Sequence, residues 1–299
     1  GGSASIGPMA TRLGSTPGLS CASGWTNATT MSTSRLTARC SENPSTAPSV
    51  APTDWRPLDP KPLSATCPNP IKRGWLRNDW HDLTFLHWPY EPSAVQALLP
   101  DGLTVDTFDG KAWVSLVPFM MRRAGPTCLP KLPYVSDFEE TNVRTYVVDS
   151  LGNRAVWFLS LDCVRLPVVA FAKVLIGFPY FWADMTLNIE GSKITYATRR
   201  RRWPRSPAAL TNVSIDIGKP IEPTELDVFL TARWGTVAKS FGQLWFHAVD
   251  HEPWTFHDAT LIALDDSAMT APGLPTPIGG PLVRWAQPVH ARFARPVRV

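Results

Sequence analysis

From residue 83 onward the chain alternates short apolar runs with turn signals, and the two-residue period of strands dominates over the helical one. Leu83-Thr84-Phe85-Leu86-His87-Trp88 is a compact apolar run of the kind that forms a buried strand. Residues 103–108 and 112–120 flank Asp109-Gly110, a strong hairpin signal. Residues 142–148 and 155–161 flank a turn at 150–153, and 182–189 and 194–200 are joined through Glu190-Gly191-Ser192. Strands are also expected over 212–217, 243–249, 255–264 and 289–294. Helical spacing is confined to three short stretches. Residues 92–99 start at Pro92, place Val95, Leu98 and Leu99 on one face, and stop at Pro100-Asp101-Gly102. Residues 168–176 follow Pro167, and 224–231 carry Glu225 and Asp227 in the first turn, where carboxylates favour the helix dipole. Hairpins in series with a few short helices predict an α+β fold built on a large antiparallel sheet, curled or closed into a barrel, not a βαβ fold.

Before residue 70 the texture differs. The first 65 residues are rich in Ser, Thr, Ala, Gly and Pro, and Arg12, Arg35, Arg39 and Glu42 are the only charges in the first fifty. No apolar period is sustained, so little surface is available to offset the entropy of ordering. Residues 1–69 are expected to be a disordered low-complexity extension ending in a proline-rich linker, and a start at Met31 or later would remove much of it. Residues 70–299 are expected to form one domain.

Composition narrows the function classes. Thirteen Trp and thirteen Phe supply a large core, and thirty Pro favour short elements over long helices. A net charge of +4 is mild, and much of the excess lies at Arg199–Arg202 and Arg205. That is a solvated strand end rather than the broad basic face of a nucleic-acid binder, so no nucleic-acid partner is expected. Five cysteines with no CxxC spacing fit reduced thiols in a cytoplasmic protein and argue against a structural zinc site. There is no run of 18 apolar residues and no signal-peptide pattern, so no membrane partner is expected.

Several blocks carry a resemblance: Phe85-Leu86-His87-Trp88-Pro89, Ala112-Trp113-Val114-Ser115-Leu116-Val117-Pro118-Phe119, Asn142-Val143-Arg144-Thr145-Tyr146-Val147, Thr231-Ala232-Arg233-Trp234 and His251-Glu252-Pro253-Trp254. Together they resemble the bacterial YqjF-like family, also called DUF2071, grouped with acetoacetate decarboxylase-like proteins. The resemblance spans about 75–299 and implies a β-cone around an apolar pocket. It also allows a homo-oligomer, and implies no cofactor. Phe138-Glu139-Glu140 is similar to an aromatic-x-Glu of the decarboxylases whose carboxylate enters the active pocket, which makes Glu140 the matching position. Gly177-Phe178-Pro179-Tyr180-Phe181 is similar to the Gly-x-Pro-Lys segment that supplies their Schiff-base lysine. Tyr180 and Phe181 stand where the lysines would be, and neither can form an imine. Lys173, on the expected helix, would restore that route only by entering the pocket. Decarboxylation by the Schiff-base route is therefore not expected.

On an extended strand Glu140, Asn142 and Arg144 point to one side. Facing a cavity, the Arg is a bidentate anion anchor and the Glu an acid or base. Facing other strands, the same residues are a structural ion-pair network. Tyr180 is either an oxyanion donor or a core aromatic with a satisfied hydroxyl. His87 and Trp88, which end the first strand, are ligand contacts or core residues, and Phe178 and Trp182 are candidate apolar contacts. His247, His251 and His257 with Asp250, Glu252 and Asp258 are the densest set of donor atoms, but the spacing is not HExxH and no metal is expected. No nucleophile elbow, P-loop or dinucleotide motif is present. Two functions remain: a non-decarboxylating enzyme acting on a small carbonyl or oxo-acid compound, with Glu140, Arg144 and Tyr180 as its catalytic groups, or a non-catalytic module that holds an apolar ligand in the cone.

Overall fold

Two-residue turns set the register of the sheet. In the computed structural model, which describes residues 59–201 and 206–299, Asp109 and Gly110 both take positive φ, 50° and 72°. That is the backbone a tight hairpin requires, and it pairs Phe108 with Lys111. Phe241 and Gly242 do the same at 48° and 77°, pairing Ser240 with Gln243. The first 58 residues of the expected N-terminal extension lie outside the described residues.

The strands are β1 (Leu76–His81), β2 (Leu83–Tyr90), β3 (Leu103–Val105), β4 (Thr107–Phe108), β5 (Lys111–Pro126), β6 (Phe138–Asp149), β7 (Arg154–Cys163), β8 (Tyr180–Glu190), β9 (Lys193–Arg200), β10 (Leu210–Ile221), β11 (Gly235–Ser240), β12 (Gln243–Asp250), β13 (Phe256–Asp266), β14 (Leu282–Ala286), β15 (Val289–Phe293) and β16 (Val297–Arg298). The helices are α1 (Pro92–Gln96), α2 (Pro133–Ser136), α3 (Leu166–Phe171) and α4 (Glu225–Thr231). Helix α4 opens with a capping box: the Asp227 N–H donates to Thr224 Oγ1 at 3.1 Å, and the Thr224 N–H donates to Asp227 Oδ2 at 2.9 Å. All strand pairs among the described residues are antiparallel except β7–β8 and β7–β11, which are parallel.

These pairings close into two rings that share a wall. One circuit runs β1–β15–β12–β11–β7–β6–β5 and back to β1. The other runs β7–β8–β9–β10–β13–β14–β2–β5–β6 and back to β7. The shared strands therefore bury both faces. Even positions of β6 (Glu140, Asn142, Arg144) face the smaller ring. Val143 packs in the larger ring with Leu86, Trp88, Leu116, Ile194, Tyr196 and Ile215, and Thr141 hydrogen-bonds Thr198 there at 2.9 Å. Strand β5 mirrors this, with Val117, Phe119 and Met121 toward the smaller ring and Val114 and Leu116 toward the larger.

On β7 the parity changes part-way. Val143 pairs with Ser160 but Arg144 with Phe158, so Leu159 is an extra residue, a β-bulge. Before it, Val156 and Phe158 face the smaller ring, and after it Leu161 does. Leu159 itself packs into the larger core. Without the bulge the second half of β7 would present its other face.

Residues 59–75 contain no helix or strand, in keeping with their prolines, but they are bound to the fold. Lys61 N–H donates to Gly152 O, and Ile71 N–H to Asp250 Oδ2, each at 2.9 Å. Trp234 Nε1 donates to Ser64 O at 2.9 Å. The helix expected over 168–176 is instead α3 followed by one π-helical turn, Ala172–Ile176. No helix among the described residues is long and apolar enough to cross a membrane.

Gly177 ends that turn at φ +86°, and a Cβ there would lie 2.4 Å from Lys239 O. Both the left-handed backbone and the close approach to β11 require glycine. Gly177→Ala is expected to destabilise the fold by about 2 kcal/mol or more. Urea denaturation followed by tryptophan fluorescence should show a lower midpoint, and an unchanged midpoint would contradict this packing.

Candidate functional site

The smaller ring is not filled. It encloses a cavity of about 160 Å³, close to the roughly 150 Å³ of a cavity that admits benzene. One side is aromatic, with Trp80, Phe119, Phe158, Phe178 and Trp254. The polar side holds Glu140, Asn142 and Arg144 from β6, Tyr180 from β8, Arg233 from the segment after α4, and His247 and His251 from β12 and just beyond it.

Tyr180 reaches Glu140 from two strands away. Strand β7 pairs with β6 on one side and β8 on the other, with Leu161 opposite both Asn142 and Tyr180. Tyr180 Oη then donates to Glu140 Oε2 at 2.7 Å. Both side chains are buried. Burial raises the Glu140 carboxyl to about 7, although hydrogen bonds from Tyr180 and Asn142 pull it back down. Burial and the adjacent Glu140 push the Tyr180 phenol well above its ordinary value, so it remains a donor. The carboxyl is thus divided between acid and base forms near neutral pH, the condition for general acid–base work.

Arg144 lies roughly 13 Å along β6 from Glu140. Its guanidinium makes no ion pair or hydrogen bond among the described residues, and Nε is buried without a partner. It sits over the rings of Phe85 and Tyr146, 5.3 and 5.8 Å from their centroids. Asn142 Oδ1, His247 Nε2 and Arg233 Nη2 are also buried and unpartnered. Buried polar atoms are nearly always bonded, and four of the eleven unpartnered ones among the described residues belong to side chains that line this cavity. Burial lowers His247 and His251 to about 4, so both rings are neutral at neutral pH. The Glu252 carbonyl can only accept, so His251 Nδ1 donates to it at 2.6 Å. His251 Nε2 is then an acceptor. Opposite Glu140, burial pushes the Cys163 thiol far up, which makes it a poor nucleophile.

Of the residues singled out in the sequence, the fold brings Glu140, Asn142, Arg144, Phe178 and Tyr180 to the cavity. His87, Trp88 and Trp182 lie elsewhere. His87 is buried in β2, with Nδ1 2.5 Å from Ser115 Oγ. Trp88 packs in the larger ring, and Trp182 Nε1 donates to Val164 O at 3.2 Å. No lysine is among the described lining residues. Lys173 Nζ sits 4.9 Å from the Phe181 ring centroid, outside the cavity lining. Of the six residues weighed as metal donors, only His247 and His251 line the cavity. Asp250 pairs with Arg292, Glu252 with His290 and Asp258 with Arg284. Sequence reasoning gave no role to Arg233. The signal was a lone cation in the apolar stretch Phe229-Leu230-Thr231-Ala232-Arg233-Trp234.

Residues 77–290 match the DUF2071 family, described as an uncharacterized conserved protein. The chain is 31% identical over 218 residues to YqjF of Bacillus subtilis, an uncharacterized protein, covering 73% of this chain and 90% of YqjF. The chain belongs to the DUF2071 family. Solved structures similar to this DUF2071 protein share its fold at low identity. An acetoacetate decarboxylase-like enzyme from Sphingomonas wittichii RW1 aligns with a TM-score of 0.53 at 14% identity, over 76% of this chain and 93% of that one. The enduracididine biosynthesis enzyme MppR aligns at 0.55 and 11%, over 84% and 97%, and has also been solved with pyruvate. The fold is therefore acetoacetate decarboxylase-like, and of the pair Tyr180-Phe181 it is Tyr180 that lines the cavity.

The raised carboxyl has a thermodynamic consequence. Between pH 4.5 and about 7 the folded chain keeps a proton on Glu140 that the unfolded chain has lost, so stability falls as pH rises through this window. Glu140→Gln removes the titration. Relative to wild type it should gain on the order of 3 kcal/mol above pH 7 and nothing further below pH 4.5. Paired denaturation curves at pH 4 and 8 test this, and a constant difference between the proteins would mean an ordinary carboxylate.

Proposed function

We propose that residues 70–299 bind a small oxo-acid and act on it by acid–base chemistry without a covalent enzyme intermediate. The observation that carries this reading is a guanidinium unpaired among the described residues and a carboxyl held near 7, both lining one cavity. Arg144 anchors the carboxylate through charge-assisted hydrogen bonds. Glu140 moves a proton at the carbon next to the carbonyl, or protonates its oxygen. Tyr180, by transferring its hydrogen bond from Glu140 to the ligand, stabilises the oxyanion that develops. The cavity volume suits on the order of six to nine heavy atoms. MppR, related at the level of fold, has been solved with pyruvate, an oxo-acid of that size class. With no lining lysine among the described residues, the carbonyl carbon is not held as an imine.

A second reading follows from the aromatic half of the cavity: a cone that retains an apolar ligand without turnover. Native mass spectrometry of freshly purified protein separates the two, since this reading expects an apolar molecule that is released unchanged.

For the first reading, wild type should catalyse exchange of the α-protons of pyruvate or 2-oxobutyrate with deuterium oxide, followed by NMR. Glu140→Gln should abolish exchange while binding changes less than about threefold. Arg144→Gln should weaken binding by about 10- to 100-fold. Borohydride should not trap the ketone on the chain. Exchange that persists in Glu140→Gln removes Glu140 from the chemistry, and covalent trapping would overturn the non-covalent mechanism.

A further inference from the structure

The cavity contains a second anion seat that the oxo-acid reading does not use. Arg233 is buried, its side chain only 1% exposed. Two of its nitrogens are fixed: Nε donates to Phe229 O at 2.8 Å and Nη1 to Asp106 Oδ2 at 2.5 Å. The third, Nη2, is buried with no partner, in a residue that lines the cavity. Its guanidinium carbon stands 4.9 Å from the Tyr146 ring centroid, and that of Arg144 stands 5.8 Å from the same ring. The two cations therefore share one end of the cavity.

Charge at that end does not balance. Among the described residues Asp106 is the only carboxylate paired with Arg233, and its Oδ2 also accepts from Arg154 Nη1 at 2.6 Å. Arg154 is partly exposed and does not line the cavity. Arg144 has no acidic partner among the described residues. The buried surplus is therefore the charge of Arg144, and Arg233 adds an N–H group without an acceptor. The faces of Tyr146 and Phe229 offset part of the charge. They leave Nη2 of Arg233 and Nε of Arg144 without a hydrogen-bond acceptor. Uncompensated buried charge and unbonded N–H groups are costly, and a ligand with a carboxylate for each guanidinium relieves both.

We infer that the ligand is a small dicarboxylate, an oxo-diacid whose two carboxylates are held by Arg144 and Arg233. This rests on the oxo-acid reading and narrows it. Pairing with Asp106 and the Phe229 carbonyl fixes the fork of Arg233 before a ligand arrives, so little side-chain entropy is lost on binding. The seat selects against monoacids because they would leave one guanidinium buried and unbonded.

Calorimetric titration of the full chain with matched pairs tests this: 2-oxobutyrate against oxaloacetate, and butyrate against succinate. The diacid of each pair should bind at least tenfold tighter. Arg233→Gln should remove that preference by weakening diacid binding at least tenfold, and Arg233→Lys should retain part of it. If Arg233→Gln does not fold, the wild-type pairs decide on their own. A preference below tenfold with measurable monoacid binding overturns the second seat and leaves the oxo-acid reading standing. Absence of binding by all four compounds overturns both.

Discussion

Strand β6 belongs to two closed rings at once, and the site follows from that constraint. A strand with both faces buried has no solvent side for its polar residues. On β6 the odd positions join an apolar core around Val143, and the even positions carry Glu140, Asn142 and Arg144 into a cavity. The flanking shared strands must keep the same parity for the cavity to close. Strand β5 does so by simple alternation. Strand β7 needs the extra residue at Leu159, which returns Leu161 to the cavity face and leaves Ser160 and Asp162 for the other interior. There Asp162 is paired with Arg200, at 2.6 Å to Nε. The larger ring thus compensates its buried charge within the fold, and the smaller one does not.

That contrast separates structure from function more sharply than residue type does. Both rings bury carboxyl and guanidinium groups. In the larger ring Arg200 grips Asp162 with two nitrogens. In the smaller ring the carboxyl of Glu140 is bonded to a phenol, and Arg144 has no hydrogen bond or ion pair among the described residues. Keeping donors and acceptors unpaired in a dry space costs stability, and folds tolerate that cost mainly where a ligand recovers it.

The sequence revealed most of the architecture because hairpins write themselves locally. Asp109-Gly110 and Glu190-Gly191-Ser192 mark reversals whatever surrounds them, and Thr224 with Asp227 marks the start of α4. Strands β1, β11 and β14 were not legible. Leu76-Arg-Asn-Asp-Trp80 alternates polar residues on both faces, because Asn78 faces a polar cavity and not a core. The single strand face joining Glu140, Asn142 and Arg144 could be read from the period of two, but not whether that face met a cavity. Tyr180 could be placed beside Glu140 only through resemblance, since the approach depends on the parallel β7–β8 pairing. Arg233 was invisible as a site residue because its partners Asp106 and Phe229 are brought to it by the fold, one of them from far along the chain. His87 and Trp88 looked like site residues because polar and aromatic groups end an apolar run, yet Trp88 packs in the larger ring and His87, on the other face of β2, is bonded to Ser115 outside the cavity lining.

The exchange of an amine for a phenol changes which half of the cavity does the work. With a lysine, the carbonyl carbon is gripped covalently and the rest of the pocket need only shape the product. On the proposed reading, Tyr180 would leave the carbonyl held by hydrogen bonds alone, each contributing about 1.5–3 kcal/mol when one partner is charged. Orientation must then come from anchors at the far end of the ligand, where the guanidinium groups stand. A preformed arginine end and a protonated carboxyl end are complementary in this sense, because binding energy gathered at the first can position the reacting carbon at the second. The same fold can therefore exchange covalent capture for electrostatic capture, provided that the cavity is dry enough to keep both strong.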